Sequence, residues 1–547
     1  MFKRLILISG PVGSGKSTLG SALEQDFGVR VVKTHQLLLE MTSSQNERAN
    51  LQAAGETLDR KTNGAWVVDA IQRAAEKPDF GDNADVLVDA VRIPAQIEAI
   101  RQKYGARVFH AHLTASPEEL ARRYEERKKN AQGELESYDA VRADPTESKV
   151  DELGKIADFA INTERCTTGD VLVRVASRLG FFGRGADRLV DVLVGAQYGS
   201  EGKGNIASYL APEYDVLIRV GGPNAGHKVF LGGERHSYAF HHLPSGTLHS
   251  NVQLIIAPGS TLHVHNLMKE IAECLVTSTR LAIDPQAMII EDSDIEFEKK
   301  TLVKTIASTG SGVGAATARK TLRDAKLDGD LGKAKVRLAK DVRELRPYIK
   351  ETRKLLDESF RLGKRVFLEG TQGVGLSIHH GLYPHVTSRE TSASGSLSDA
   401  GISASRVRRI IMVCRTYPIR VQDTDAGRTS GHMNKQISYE ELSRRSEIPI
   451  EELRNIEKTT TTNRQRRIGE FEWELLRKAA SLNGPTDIAL TFADYLTIRN
   501  RTAQRFEQLT QDTIRFIEDV ELVTGAPVSL ISTRFGERAI IDRRKWW

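Results

Sequence analysis

Apolar residues in this chain gather in short runs separated by glycine, serine and charged turns. LILIS (5–9), VRVVK (29–33), DVLVDAVR (85–92), the VFHAHL part of RVFHAHLTASPEELARRYEERKK (107–129), ADFAINTE (157–164) and VDVLV (190–194) are short and rich in β-branched residues, so they read as strands. Helical spacing takes over between them: in STLGSALEQDFG (17–28), after the capping box Ser116-x-x-Glu119, and in NIASYLAPEY (205–214). Strand and helix alternating in this way read as an α/β architecture, with mainly parallel sheets flanked by helices. KAKVRLAKDVRELRPYIKETRKLLDESFRLG (333–363) reads as one long charged surface helix with a single apolar stripe.

At 547 residues the chain exceeds what one ordinary core serves, so at least two domains are expected. The boundaries read as 1–165 and 189–547, joined by a linker at 166–188 that ends in GFFGRGADR. With 39% hydrophobic and 27% charged residues the composition is globular. The 78 basic and 72 acidic residues are interleaved rather than massed in a tail, for a net charge of +6, which small phosphorylated ligands explain as well as nucleic acid does. No run approaches the roughly eighteen apolar residues of a membrane span. Cys166, Cys274 and Cys414 lie far apart without CxxC spacing, and MFKRLILISG enters a folded motif rather than a signal peptide. A cytoplasmic protein is the expectation.

Two of the strands run into glycine loops. After LILIS stands GPVGSGKST, a complete G-x-x-x-x-G-K-S from Gly10 to Ser17 in the strand, loop, helix context it requires. Backbone N–H groups around Gly10, Gly13 and Gly15 would cradle a β-phosphate, Lys16 would reach the β and γ oxygens, and the Ser17 hydroxyl would ligate Mg²⁺. Asp89, at the C-terminal end of its strand, is placed to assist that ion. Arg122, Arg123 and Arg127 either clamp phosphates or pair with the glutamates of their own helix. The second loop, GAQYGSEGKG (195–204), offers Gly202, Gly204 and Lys203 to phosphate in the same manner. The histidine pairs 241/242 and 379/380 are read as structural or substrate-adjacent, because neighbouring side chains on a strand point to opposite faces and chelate one ion poorly.

The first layout resembles the small P-loop nucleoside and nucleotide monophosphate kinases, through GPVGSGKS, VDAVRIPAQ, the arginine-bearing helix and ADFAIN. The resemblance implies a phosphotransferase with Thr34 and His35 near its acceptor. A domain that binds ATP only to regulate its neighbour is the alternative.

From Leu189 onward, GAQYGSEGKG, GGPNAGHKVF (221–230), HHLPSGTL (241–248), ASTGSGVG (307–314), FLEGTQGVGLSIHHGLYPHVTS (367–388), TTNRQRRIG (461–469) and LISTRFGER (530–538) resemble adenylosuccinate synthetases in order and spacing. The resemblance implies that the γ-phosphoryl of a nucleoside triphosphate passes to a purine O6 and that L-aspartate then displaces phosphate at C6, with Mg²⁺ present. It implies His227 as the electrophilic donor beside the phosphoryl, Lys203 as its neutralising charge, and Ser200 and the Gly226 carbonyl as metal ligands. Asn224, Thr309, Gln372, Thr387 and Arg464 would hold the purine nucleotide, with Arg323 contributed across a homodimer interface. Thr462, Arg464 and Arg466 would grip aspartate, whose carboxylates suit guanidinium forks. Gly202, Gly204, Phe492, Asp494 and Ser532 would meet the nucleoside triphosphate.

Two departures from the family pattern change this picture. The family loop reads QWGDEGKG, and its aspartate takes the purine N1 proton and helps hold Mg²⁺. QYGSEGKG places Ser200 there, a far weaker base, so Glu201, a water or a substrate phosphate become candidate bases. The same replacement is similar to the phage-type branch of the family that acts on deoxyguanylate to make 2-aminoadenylosuccinate, where a shorter side chain leaves room for the guanine 2-amino group. The family's TKxD, which reads the guanine of GTP, is TFAD (491–494) here, and an aromatic side chain in place of lysine favours ATP or dATP over GTP. The expectation is an aspartate ligase acting on GMP or dGMP, fused to a nucleotide kinase. Action on IMP or dIMP, and a catalytically inactive nucleotide sensor, are the competing readings.

Overall fold

The computed structural model describes residues 2–42, 48–76, 83–129, 137–143, 147–182, 187–230, 237–248, 252–323, 335–423, 429–458, 465–534, 536 and 539–544. The chain divides into two compact units, Met1–Gly183 and Arg184–Trp547.

Five parallel strands, β1 (Arg4–Ser9), β2 (Arg30–Lys33), β3 (Asp85–Asp89), β4 (Val108–Thr114) and β5 (Phe159–Asn162), build the first unit in the order β2, β3, β1, β4, β5. Leu5 to Ile8 of the central strand are fully buried, as an apolar run with helices on both faces requires. α1 (Lys16–Phe27), α2 (Pro117–Lys129) and α3 (Thr168–Arg178) are among its helices.

α3 lies inside the stretch read as linker, and that reading is corrected. Thr167 and Asp170 close a capping box at its N-terminus, and Val171, Leu172, Val175 and Ala176 pack with Ile6 and Ile8 in one core. Residues 166–182 therefore complete the first unit: their helical apolar period decides the fold, not the glycine and arginine that follow it.

Nine strands form the main sheet of the second unit: β6 (Val190–Gly195), β7 (Val216–Arg219), β8 (Gln253–Ile256), β9 (Leu281–Ile283), β10 (Val366–Glu369), β11 (Val407–Arg415), β12 (Asp487–Thr491), β13 (Val528–Ser532) and β14 (Ile540–Asp542). Their order is β9, β8, β7, β10, β6, β11, β12, β13, β14, and only the β13/β14 pair is antiparallel. Alternate residues of β6 enter separate cores on the two faces, Val192 and Val194 on one and Leu193 on the other. α4 (Lys203–Leu210) follows β6.

The long helix expected over 333–363 does not form among the described residues. Two 3₁₀ turns, Ala339–Asp341 and Arg343–Tyr348, precede a shorter helix at Thr352–Arg361. Pro347 removes a backbone donor and restricts the residue before it. Ala339, Val342 and Leu345, all buried, recur every third residue, which is the 3₁₀ period and not 3.6.

Candidate active site

β6, β7, β10, β11 and β12 are parallel, so the loops leaving their C-terminal ends share one edge of the sheet, the usual place for a ligand in an open α/β sheet. After β6 the backbone turns through positive φ at Gly199 (101°) and Gly202 (86°), and α4 starts at Lys203. The Lys203 ammonium lies 2.6 Å from Glu201 Oε2 and donates to the Gly199 carbonyl at 3.2 Å. Glu201 Oε1 accepts the backbone N–H groups of Gln197 (3.0 Å) and Gly199 (2.9 Å). This buried pair braces the loop from beneath. Glu201, read as a candidate base, has its carboxylate committed to the loop and does not line the cavity, whereas Ser200 does.

That cavity measures about 580 Å³, a size that suits a nucleotide. It brings together Ser200, Asn224, Gly226, His227, Thr309, Gln372, Thr387 and Arg466 from blocks spread over nearly half the chain. Gln372 donates to Asn224 Oδ1 at 3.1 Å, and Asn224 donates to Thr387 Oγ1 at 3.4 Å. Gln372 Oε1 and His227 Nε2 are buried without a hydrogen-bond partner among the described residues, the pattern of a wall shaped for a polar ligand.

His227 Nδ1 bonds Glu369, the last residue of β10, and Ser245 also donates to that carboxylate through both its hydroxyl and its N–H. Burial, reinforced by Arg219, pulls the His227 pKa down to about 4. Burial would raise Glu369, but His227 and Arg219 outweigh it and hold the carboxylate at about 2. The resting pair is thus a neutral imidazole whose Nδ1–H is donated to a carboxylate, leaving Nε2 with its lone pair toward the cavity.

Glu369 was not singled out from the sequence, nor were Arg219 and Arg415. The signal existed: VLIR, VFLE and MVCR are buried apolar strands that each close on a charged residue, an expensive place for a charge without a task.

The donor-side residues stand apart from the cavity lining. Phe492 sits at φ 58° and lies half-buried with the Arg415 guanidinium 3.9 Å over its ring, so one face is already taken. Asp494 is buried and accepts from Arg501 at 3.0 Å, and desolvation raises its pKa to about 6 against that pairing. Its Oδ1 has no hydrogen-bond partner among the described residues. Ser532 donates to the Arg534 carbonyl at 2.8 Å. Arg323 ends the helix Val313–Leu322, exposed and outside the cavity. Thr462 and Arg464 lie outside the described residues.

In the first unit Gly10, Gly13 and Gly15 all take positive φ, and α1 starts at Lys16. The Lys16 ammonium donates to the carbonyls of Gly10 (2.5 Å) and Pro11 (3.0 Å), and burial pulls its pKa down to about 8. Ser17 is exposed at the same helix start. Asp89 lies beside Ile8 in the ladder, next to the loop, whereas Asp85 pairs with Arg4 at the far end of the sheet (3.0 Å). Thr34 donates to the Asp89 carbonyl at 2.7 Å, and His35 is exposed. Arg122 pairs with Glu119 and Glu126 of its own helix, and Arg123 with Glu119 and the Thr163 carbonyl. A cavity of about 680 Å³ opens beside Pro11 and Val12, with His112, Arg142, Glu147 and Asp151 in its wall.

The donor set bears on Mg²⁺. No three His, Cys, Asp or Glu side chains among the described residues gather into a metal cage. A hydroxyl and a carbonyl, Ser200 and Gly226, or one hydroxyl, Ser17, fit an ion that takes most of its oxygens from phosphates and water, as Mg²⁺ does. No helix among the described residues is long and apolar enough to cross a membrane.

Comparison with known proteins fits this division. The adenylosuccinate synthetase family model matches residues 192–345 and 333–502, and an AAA domain model matches 6–143. Adenylosuccinate synthetase from Thermococcus onnurineus is 35% identical over 364 residues, covering 64% of this chain and 98% of the relative. The enzyme from Methanocaldococcus jannaschii is 35% identical over 360 residues, with 64% and 96% coverage. Among solved structures, the fully ligated Plasmodium falciparum adenylosuccinate synthetase shares the fold (TM-score 0.56, 22% identity, 65% of this chain and 100% of that one). The cyanophage S-2L succinoaminodeoxyadenylate synthetase, solved bound to dGMP and dATP as energy donor, is similar at 27% identity and TM-score 0.53, covering 65% of this chain and 96% of that one. With its glycine loop, its histidine and its nucleotide-sized cavity at one sheet edge, this chain belongs to the adenylosuccinate synthetase family and carries a P-loop domain ahead of the synthetase fold.

Proposed function

We propose that the second unit joins L-aspartate to C6 of a guanine nucleotide, dGMP or GMP, at the expense of ATP or dATP. The observation that carries this reading is the cavity wall at Ser200. The one carboxylate on that loop, Glu201, is turned under it and bound to Lys203, so what residues 200 and 201 offer the cavity is a small hydroxyl, which this reading sets beside the purine edge. A small group there leaves space for an exocyclic 2-amino group, and the dGMP-bound cyanophage relative supports the choice.

The remaining roles follow from geometry. His227 can donate from Nε2 to a phosphoryl oxygen only as an imidazolium, because its Nδ1–H is committed to Glu369. The dianionic phosphoryl favours that form, so the proton arrives with the charge it is needed to stabilise. Lys203, tied to Glu201 and the Gly199 carbonyl, reaches phosphate only if its ammonium exchanges those partners on binding; Asn224, Thr309, Gln372 and Thr387 hold the purine nucleotide, and Arg466 faces aspartate. Ser200 and Gly226 would hold Mg²⁺, which draws charge from the transferring phosphoryl group when bound. Arg323 reaches a second copy, making the ligase a homodimer. The first unit acts as a nucleotide phosphotransferase, with Gly10 to Ser17 on the donor phosphates and Asp89 beside them.

The test is incubation of the full chain with aspartate, Mg²⁺ and ATP or GTP, offering IMP, dIMP, GMP and dGMP separately, with mass spectrometry for the aspartate adduct. The expected adduct is confined to the guanine nucleotides. Adducts confined to IMP or dIMP would assign the ordinary family substrate, and no adduct from any of the four would make the unit a nucleotide sensor.

A further inference from the structure

Glu457 is one of the most deeply buried carboxylates in the second unit, and three groups converge on it. Arg415 Nη2 lies 2.5 Å from Oε1, the Tyr495 hydroxyl donates to the same oxygen at 2.7 Å, and Arg466 Nη1 donates to Oε2 at 3.3 Å. The side chains of Arg415 and Glu457 are 1% and 0% exposed, and that of Arg466 is 16% exposed and lines the cavity. The Glu457 carbonyl also accepts the Arg466 N–H (3.0 Å) and the Gln465 side chain (2.9 Å). From its other side Arg415 donates to the Ser200 carbonyl at 3.2 Å and covers the Phe492 ring.

One carboxylate therefore faces two guanidinium groups. Its charge cancels that of Arg415, which is buried and could not remain unpaired cheaply. The surplus positive charge falls on Arg466, at the cavity wall, where an anionic ligand would meet it. Because Arg466 spends a single N–H on Glu457, its remaining donors keep a set direction at little entropic cost.

We propose that Glu457 is a positioning residue for the aspartate substrate: it orients the Arg466 guanidinium toward a substrate carboxylate, and through Arg415 it ties that orientation to the Ser200 peptide. This rests on the reading of Arg466 as part of the aspartate grip, and the experiment separates the two.

Steady-state adduct formation by the full chain is compared for the wild type, Glu457→Gln, Tyr495→Phe, Arg466→Lys and the double variant Glu457→Gln/Arg466→Lys. Glu457→Gln should raise the aspartate KM roughly tenfold while the purine nucleotide KM stays within about twofold, and on the Arg466→Lys background it should add less than about twofold. Tyr495→Phe, which removes one hydrogen bond and leaves both charges paired, should raise the aspartate KM by about two- to threefold and serves if Glu457→Gln does not fold. If Arg466→Lys leaves the aspartate KM unchanged, the reading of Arg466 fails. If Arg466→Lys raises it while Glu457→Gln and Tyr495→Phe leave it alone, or add to it independently, the positioning role of Glu457 is overturned.

Discussion

On the proposed reading, a single side chain at residue 200 separates two substrates. A carboxylate there would occupy the space that the guanine 2-amino group needs, and would restore a base for the hypoxanthine N1 proton. Ser200→Asp should therefore lower kcat/KM for dGMP and raise it for dIMP, each by roughly 10² as a general base is gained and a steric fit lost. Parallel steady-state assays of the two nucleotides check this, and a fall with both would remove the steric account. His227 depends on its neighbour in a different way. Glu369→Gln can still accept the Nδ1–H but no longer supports an imidazolium. It should cut kcat about 10- to 100-fold with the nucleotide KM little changed, as loss of an orienting carboxylate typically does. Ser200 and His227 could be placed at one site from the sequence because the glycine-rich blocks they stand in resemble a family's loops, and both line the cavity. Glu369 and Glu457 could not, because what makes them matter is which arginine or histidine the fold places against them.

The elements around the loop are held close by residues that lack a side chain. A Cβ on Gly204, inside α4, would come within 2.9 Å of the His227 Cβ and 3.1 Å of the Lys228 carbonyl. Alanine suits a helix better than glycine by about 1 kcal/mol, so Gly204→Ala gains propensity while pushing His227 away from the loop. The expected result is a chain that melts within a few degrees of the wild type yet loses about tenfold or more in kcat, because a displaced catalytic group is costly. Calorimetry and adduct kinetics on the same preparation check it. At this scale the sequence was legible where period and context agreed, as for β1 and α1 or β6 and α4. It misled where they conflicted. Residues 166–182 carry a helical stripe that glycine and arginine disguised as a linker, and residues 339–345 carry a three-residue period inside a charge pattern that imitates an α-helix.

For the whole molecule, the division into two units with separate cores was legible from length and from two glycine loops, whereas the electrostatic cost of those cores was not. Each unit buries neutral histidine. In the first, Ser9 bridges His110 (2.6 Å) and His112 (2.8 Å), and burial, with Arg101 and His112 adding to it, pulls His110 down to about 4. In the second, burial with Arg219 beside it pulls His242 well below its usual value. A histidine whose folded pKa is depressed binds its proton in the unfolded chain first. Its contribution to stability is complete above the unfolded value near 6.5 and is lost as pH falls toward the folded value. Between pH 7 and pH 5, His110 should cost the first unit about 2 kcal/mol. Asp494 works the other way in the second unit. Its pKa is raised to about 6, so the folded chain takes up a proton over the same range and offsets part of what His227 and His242 lose. Glu369, held near 2, stays charged in both states until the pH falls below about 4.5 and adds nothing to this window. Urea unfolding followed by hydrogen-exchange mass spectrometry reads the two units separately. Both units should lose stability from pH 7 to pH 5, and His110→Gln should flatten the first unit's slope while leaving the second unit's slope unchanged. An unchanged slope in His110→Gln would mean that the buried Ser9 cluster takes up its proton without opening, and that burial is not what sets the acid limit of the first unit.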